Sequence, residues 1–515
     1  MDLPDVIKGE DMDAAIKKRL PGLFLLSFST YIVCVPAAFT QIISFDLMLD
    51  LNSFPGNGYA WTFPAFVAGE CASMGLCAST LDRYGRKIPY LIGSFLFIAS
   101  SAACALSTEM MPFILFRGVE GFGAGIIIVT CIAQIFFDVE DPKLRYMANG
   151  IMSLGFGGGM LTGIFAGRAV MGVIDWPVAF WIFAILQALV MYPSLEILSN
   201  GRKSTLKVNP LAAIIITVWA GLFVFFLQKM YLDWSIADPM AQMCLGLLVM
   251  LFLAFLLIEV HDPESMFHRK VKNAKLTAAS LIFIVLLGVI DMGAVGFMVK
   301  IAFFTYQMSV MEAAPFFIIL VCGAAVTAIC ISKMIDRTGH LIWLLLSAVL
   351  SPIALLSMVF VTEDDPSFLY ALHLFVLGLA IGCLVSMLNA TIQNRTNENN
   401  NGAMMSFAIM VRTLSLWLGY NFYQLMADLY MKERIGATVD HWNSIMPVQL
   451  PSDSSIANLL VTPLNDFIRA IPGLTDEIAT FFAEGVGVGF TYGAIAFVVV
   501  AVPVALLLVR GEKEI

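Results

Sequence analysis

Residues 79–93 read STLDRYGRKIPYLIG, and residues 332–346 read SKMIDRTGHLIWLLL. Each places an Asp-Arg-x-Gly turn, at Asp82 to Gly85 and at Asp336 to Gly339, between two long apolar runs. A charged turn written twice in the same setting marks an internal repeat. The setting itself is a membrane. The chain of 515 residues is 59% apolar and only 13% charged, against roughly 45–50% and 25% in soluble domains, and its mean hydropathy is +0.87. A helix of about 20 apolar residues crosses a hydrocarbon core of roughly 30 Å. Fourteen such runs follow one another between Leu20 and Val509, which predicts an all-α membrane protein.

The loops supply an independent check. Those carrying IKKR, DRYGRK, DPKLRY, GRKSTLK, HRKVKNAK, KMIDRTGH, QNRT and RGEKEI fall on one side of the membrane under this count and hold most of the Lys and Arg. The opposite loops, among them DLMLDLNSFPGNGY and VTEDDPS, contain neither. Basic residues stay on the cytoplasmic side, so both termini are expected in the cytoplasm of a multi-pass cell (inner) membrane protein. The N-terminus shows no cleavable signal, and the first helix is expected to act as its own insertion signal. The net charge of −9 says little here, because the placement of Lys and Arg matters more than their sum.

Asp82 and Asp336 each follow the second helix of a six-helix block, yet their separation is too long for six helices and short loops. Two extra helices fill the gap. The organisation expected is a cytoplasmic segment (1–19), a six-helix bundle (20–198), a two-helix insertion with its linkers (199–273), a second six-helix bundle (274–509) and a cytoplasmic tail (510–515). A long outside loop (429–481) interrupts the second bundle. Parallel six-helix halves of this kind hold a transport site at the midplane between them.

Several chemistries have no residues to support them. There is no G-x-x-x-x-G-K-[ST] phosphate loop, so ATP-driven transport is not expected, and no soluble segment is large enough for an independent enzyme. The nine cysteines lie within apolar runs and form no metal-type pair, so they read as core packing. No cofactor, metal or nucleic acid is expected. The partners expected are a small-molecule substrate, protons and the lipid bilayer, with the chain working as a monomer.

Charges inside apolar runs carry the sharpest signal, because each costs roughly 2.5–3.5 kcal/mol at mid-depth on insertion scales and faces a cavity or a partner. Glu70, Arg117, Glu120, Asp291, Lys300 and Arg412 stand out. Arg117 and Glu120 are three apart on one helix and can pair locally. Asp291 has no basic residue within a helical turn, and an isolated carboxyl in apolar surroundings suits a reversible proton carrier. Asp291 is therefore the first candidate for proton coupling, followed by Glu70 and Glu120; Arg117, Lys300 and Arg412 are candidates for the substrate cavity. Gly155, Gly159, Gly163 and Gly167 recur every four residues on one helical face and allow close helix packing. At the turn, an Asp beside a helix N-terminus satisfies free N–H groups and complements the dipole, while Arg83, Arg86 and Lys87 face headgroups and cytosol.

These residues also carry a resemblance. LDRYGRK, with its weaker copy IDRTGH, resembles the loop signature of the major facilitator superfamily. Arg117, Glu120 and Gly121 in FILFRGVEGFGAG resemble the fourth-helix pattern R-x-x-Q-G, with Glu for Gln. Arg412 and Gly419 in FAIMVRTLSLWLG are similar to the penultimate helix of the fourteen-helix EmrB/QacA-like drug:proton antiporters. The resemblance implies the major facilitator fold with fourteen helices arranged 6+2+6. It also implies that Asp82, Arg83, Gly85, Arg86, Asp336 and Arg337 serve gating. Two stretches depart from the antiporter pattern: in LGFGGGMLTGIFAGR Met160 replaces the proline and Ile164 the last glycine, and in FSTYIVCVPAAF Ser29 and Thr30 stand where many relatives carry an Asp. The function expected is proton-coupled antiport exporting an amphipathic or hydrophobic small molecule by alternating access. Proton-coupled symport for uptake and a non-transporting scaffold or receptor are the alternatives.

Overall fold

The computed structural model describes residues 9–51, 58–170, 173–199, 209–262, 274–304, 306, 308, 310–360, 366–396, 400–434, 440, 443–444 and 474–512. Most of the expected outside loop 429–481, much of the linkers around the two-helix insertion and the side chain of Asp336 lie outside the described residues. Every regular element among those described is helical. In lipid no water is present to bond a free N–H or C=O, so each segment closes its hydrogen bonds on itself.

The first half comprises α1 (Gly9–Ile42), the short α2 (Ser44–Asp50), a 3-10 turn (Gly58–Trp61), α3 (Thr62–Tyr84), α4 (Lys87–Ala105), α5 (Met110–Asp138), α6 (Leu144–Val170) and α7 (Trp176–Ile197). The helices α8 (Pro210–Leu232) and α9 (Pro239–His261) follow. The second half comprises α10 (Ala274–Leu286), a π turn (Leu287–Met292), α11 (Gly293–Phe304), α12 (Val310–Val359), α13 (Ser367–Arg395), α14 (Asn401–Arg434) and α15 (Leu474–Glu512). Helix starts obey local chemistry. Asn209 caps α8 by accepting the amides of Leu211 (3.1 Å) and Ala212 (3.3 Å), and Pro210 occupies the first turn, where a missing N–H costs nothing.

Among the described residues, thirteen helical segments are long and apolar enough to cross a membrane. The fourteenth expected span, α3, has the length, at 23 residues, but falls short in apolarity. Its surroundings explain the shortfall: α3 packs on α5, α8 and α14, so its small and polar residues meet protein instead of lipid. Phe95, Leu189, Met243 and Val499, by contrast, lie exposed on the outward faces of their helices.

The repeat visible in the sequence is repeated in backbone geometry. Gly85 (φ 79°) and Gly339 (φ 69°) are the only described glycines with positive φ, and they end the two Asp-Arg-x-Gly turns. Gly339 splits the 50-residue α12 into two crossing segments, 312–335 and 337–359. The packing repeats as well. Gly121 and Gly125 of α5 press on Phe66 and Ser73 of α3, while Gly378 and Gly382 of α13 press on Leu320 and Thr327 of α12. The same four-residue spacing on one helix meets the same seven-residue spacing on its partner in both halves.

Between the halves, α14 packs on α3 and α5, and α6 packs on α12 and α13. Helix α8 lies against α3 and touches α14, and α9 packs chiefly on α8. The inserted pair is therefore peripheral, and the centre belongs to the two six-helix halves.

Candidate functional site

The seam between the halves holds a small cavity. Its walls include Cys34 of α1, Phe66 and Glu70 of α3, Phe156 of α6, and Thr413 and Leu416 of α14. About 20 Å³ of it is open to water-sized occupants, room for a water or so, whereas a drug-sized ligand needs roughly 300–1,000 Å³. The halves are closed on one another at this level. Phe63 of α3 meets Trp417 of α14 with ring centroids 5.5 Å apart.

Two buried charges from opposite halves lie here, Glu70 on the cavity wall and Arg412 beside it. Glu70 and Arg412 are 5% and 3% exposed and act on each other electrostatically. Neither is satisfied. Oε1 of Glu70 and both Nε and Nη2 of Arg412 are buried without a hydrogen-bond partner, and the guanidinium lies over the Phe156 ring at 4.8 Å.

The other intramembrane charges sit elsewhere. Arg117 pairs with Glu120, which also accepts from Ser101. Arg117 further donates to the carbonyls of Thr62 (3.3 Å) and Pro36 (3.2 Å) and to Thr40 Oγ1 (3.1 Å). It lies 4.5 Å over the Phe66 ring. Sequence reasoning assigned Arg117 to the substrate cavity and Glu120 to proton coupling; the structure places both inside the first half, where they tie α1, α3 and α5 together. Lys300 is in the second half, donating to Gln424 (3.1 Å) beside Phe297, Phe482 and Tyr420, and it is not among the residues that line the central cavity.

Asp291 is fully buried on the π turn, within the second half. Ser351 donates to its Oδ2 (2.9 Å), and its Oδ1 has no partner. Tyr423 donates to the neighbouring carbonyl of Ile290 (2.9 Å). A π turn is a common accompaniment of functional sites; Asp291 is not among the residues that line the central cavity.

At the end of the bundle that carries Arg83, Arg86 and Lys87, the halves are bonded together. Asp82 accepts the amides of Gly402 (2.7 Å) and Ala403 (2.9 Å), the first turn of α14. The sequence places Asp82 beside its own next helix, yet α4 begins at Lys87 and its N-cap Arg86 makes no side-chain cap; the N-terminus that Asp82 serves belongs to the other half. Arg86 is 2% exposed, with its guanidinium 3.6 Å over the Phe137 ring. Burial lowers its pKa to about 10, opposed by the charges of Asp82 and Asp138. Arg83 and Arg337 are exposed, and Gly85 is buried in the turn.

Sequence reasoning missed three further bridges at this end. Asn149 donates to Gln393 (2.7 Å), Arg145 donates to Asn394 (3.0 Å), and Tyr146 bonds His340 (3.0 Å). It also missed a network of Ser29, Tyr90, Ser94 and Gln187 joining α1, α4 and α7. Amide side chains within apolar runs were the available signal. The glycine stripe of α6 lies against α1: Gly155 faces Ser27, Gly159 faces the Tyr31 carbonyl, Gly163 faces Val35 and Phe39, and Gly167 faces Ile42.

Two parallel helical halves that enclose a charged central cavity define a membrane transporter. The chain belongs to the major facilitator superfamily, whose sequence pattern matches residues 20–420. Over 388 residues it is 23% identical to Multidrug resistance protein 3 of Bacillus subtilis (strain 168), covering 73% of each chain. It is 23% identical to the Methylenomycin A resistance protein of the same organism, covering 67% of this chain and 74% of that protein. Among solved structures it resembles a bacterial homolog of the human lysosomal transporter Spinster (TM-score 0.56, 16% identity, 96% of this chain and 97% of that one). It also resembles the proton:xylose symporter XylE (TM-score 0.55, 12% identity, 93% and 95%). The protein is thus a multi-pass major facilitator transporter and not an enzyme.

Proposed function

We propose that the chain is a proton-coupled secondary transporter that carries an amphipathic small molecule across the cell membrane by alternating access, as a monomer with both termini cytoplasmic. The observation that carries this reading is Glu70: a buried carboxylate with an unpartnered oxygen on the wall of a central space that both halves line. Such a group can hold or release a proton while the halves rock about it, and the aromatic wall beside it suits an apolar solute. Asp291 is a second protonatable site within the moving half.

Export by antiport is supported by the resistance proteins that the chain resembles. One observation favours a second reading, cotransport of proton and solute: Arg412, with two buried unpartnered nitrogens, lies over the cavity-wall residue Phe156, so a protonated Glu70 leaves a cation beside the cavity that an anionic solute would neutralise.

Proteoliposomes with an imposed pH gradient and amphipathic dyes of either charge test both. Under antiport the dye moves against the proton flow; under cotransport it moves with it. Glu70→Gln is expected to abolish gradient-driven accumulation while dye exchange survives. Accumulation by Glu70→Gln at the wild-type level overturns the reading.

A further inference from the structure

Arg412 presents an unusual surplus. Its Nε and Nη2 atoms are the two that form one straight edge of the guanidinium fork, and both are buried without a partner. That edge matches a planar carboxylate with two parallel hydrogen bonds, a geometry that a point charge such as Lys cannot offer. A buried charge left unpaired is costly, and Glu70 is the only carboxylate that the cavity wall supplies. Phe63, Phe66, Phe156 and Leu416 make the wall mostly apolar, with the Thr413 hydroxyl and the Cys34 thiol among them.

Charge counting in a dry site then limits the occupant. With Glu70 ionised and the cavity empty, the site is neutral. With Glu70 protonated, Arg412 is uncompensated until an anion enters. A cationic solute leaves a net positive charge with Glu70 ionised, and no proton movement repairs it. A neutral solute keeps the site neutral only with Glu70 ionised, and once Glu70 takes up a proton a monoanion is what restores neutrality.

We propose that, when the halves part and this closed cavity widens to reach Arg412, it binds an amphipathic organic monoanion, its carboxylate bidentate on the Nε and Nη2 edge of Arg412 and its apolar body against the Phe rings, and that it binds when Glu70 is protonated. The groups around Glu70 are consistent with a single electrostatic partner. Arg412 faces it from α14, the thiols of Cys34 on α1 and Cys71 on α3 respond to its charge, Gly125 of α5 meets its backbone, and Phe156 of α6 faces it across the cavity. The inference rests on this cavity being the transport site and deepens the cotransport reading.

The test is direct binding to the purified full-length protein, by tryptophan fluorescence and thermal shift, with 2-naphthoate, its neutral amide and 2-naphthylmethylammonium. Naphthoate is expected to bind at least about tenfold more tightly than the amide, a difference of about 1.4 kcal/mol, with the ammonium weakest. Arg412→Gln should bring naphthoate down to the level of the amide while amide binding reports an intact fold, and Arg412→Lys should keep only part of the preference. From about pH 8.5 to about pH 5.5 naphthoate stays ionised, and its affinity should rise as Glu70 is protonated. In Glu70→Gln it should be tight and independent of pH.

Equal binding of the amide, preference for the ammonium, or a flat pH profile in the wild type each overturns the proposal. Stabilisation by chloride alone that matches that by naphthoate also overturns it, in favour of an inorganic anion site. Naphthoate binding as described without gradient-driven flux would instead leave this inference standing and sink the transport reading.

Discussion

The Asp82 carboxylate of the first half caps the first turn of α14 in the second half, accepting the Gly402 amide at 2.7 Å, and Gly402 lies 320 residues further along the chain. A helix N-terminus carries about half a positive charge and free N–H groups, so this contact is a charged latch across the seam. It holds only while this end of the bundle is shut. Opening here has to break it, together with the Asn149–Gln393 and Arg145–Asn394 bonds.

Asp82→Asn removes the charge and keeps the size. It is expected to favour opening at this end by about 1–2 kcal/mol, slowing turnover several-fold with ligand affinity changed less than about twofold. Gly402→Ala should act similarly, because its new Cβ would sit 3.0 Å from Asp82 Cγ. Transport rates and binding constants measured side by side check this; lost affinity with an intact rate would contradict it.

Arg117 and Glu120 are expected to behave as structural residues. Removing one partner of a buried pair costs about 3–5 kcal/mol, so Glu120→Ala should sharply reduce the yield of folded protein. A variant that folds normally and only changes solute preference would return Arg117 to the substrate site.

The α6 stripe gives a pair of opposite outcomes. At Gly163 a Cβ would approach Phe39 N at 2.8 Å, whereas at Gly157 nothing lies within 4 Å. Gly163→Ala is expected to destabilise by about 1–3 kcal/mol through overpacking, and Gly157→Ala to be neutral or slightly stabilising through helix propensity. Thermal unfolding in detergent separates them, and equal shifts would remove the stripe from the α1–α6 interface.

The two turn glycines differ from those of the stripe. Gly339 has open space around it, so Gly339→Ala meets only the backbone penalty of positive φ, about 1–2 kcal/mol. Gly339→Asn should cost less, since Asn tolerates this region. Melting temperatures that rank Gly above Asn above Ala are expected at this position, and Ala equal to Gly would refute the strain argument.

Much of this protein was legible before any coordinates. Hydropathy gives helices of crossing length because lipid permits little else, and the doubled Asp-Arg-x-Gly turn announces two halves because each copy needs a glycine at positive φ. The buried charges were also visible, since every one is expensive to place. Their partners were not. Arg117 finds Glu120 three residues away, a distance that helical periodicity states outright. Glu70 meets Arg412, and Asp82 meets Gly402, only because two bundles dock face to face, and docking depends on shape across hundreds of residues. The same lack of long-range information left Asp291 and Glu70 unplaced: both are carboxyls in apolar runs, and only the tertiary structure puts Asp291 inside one half and Glu70 on the wall of a space that both halves line.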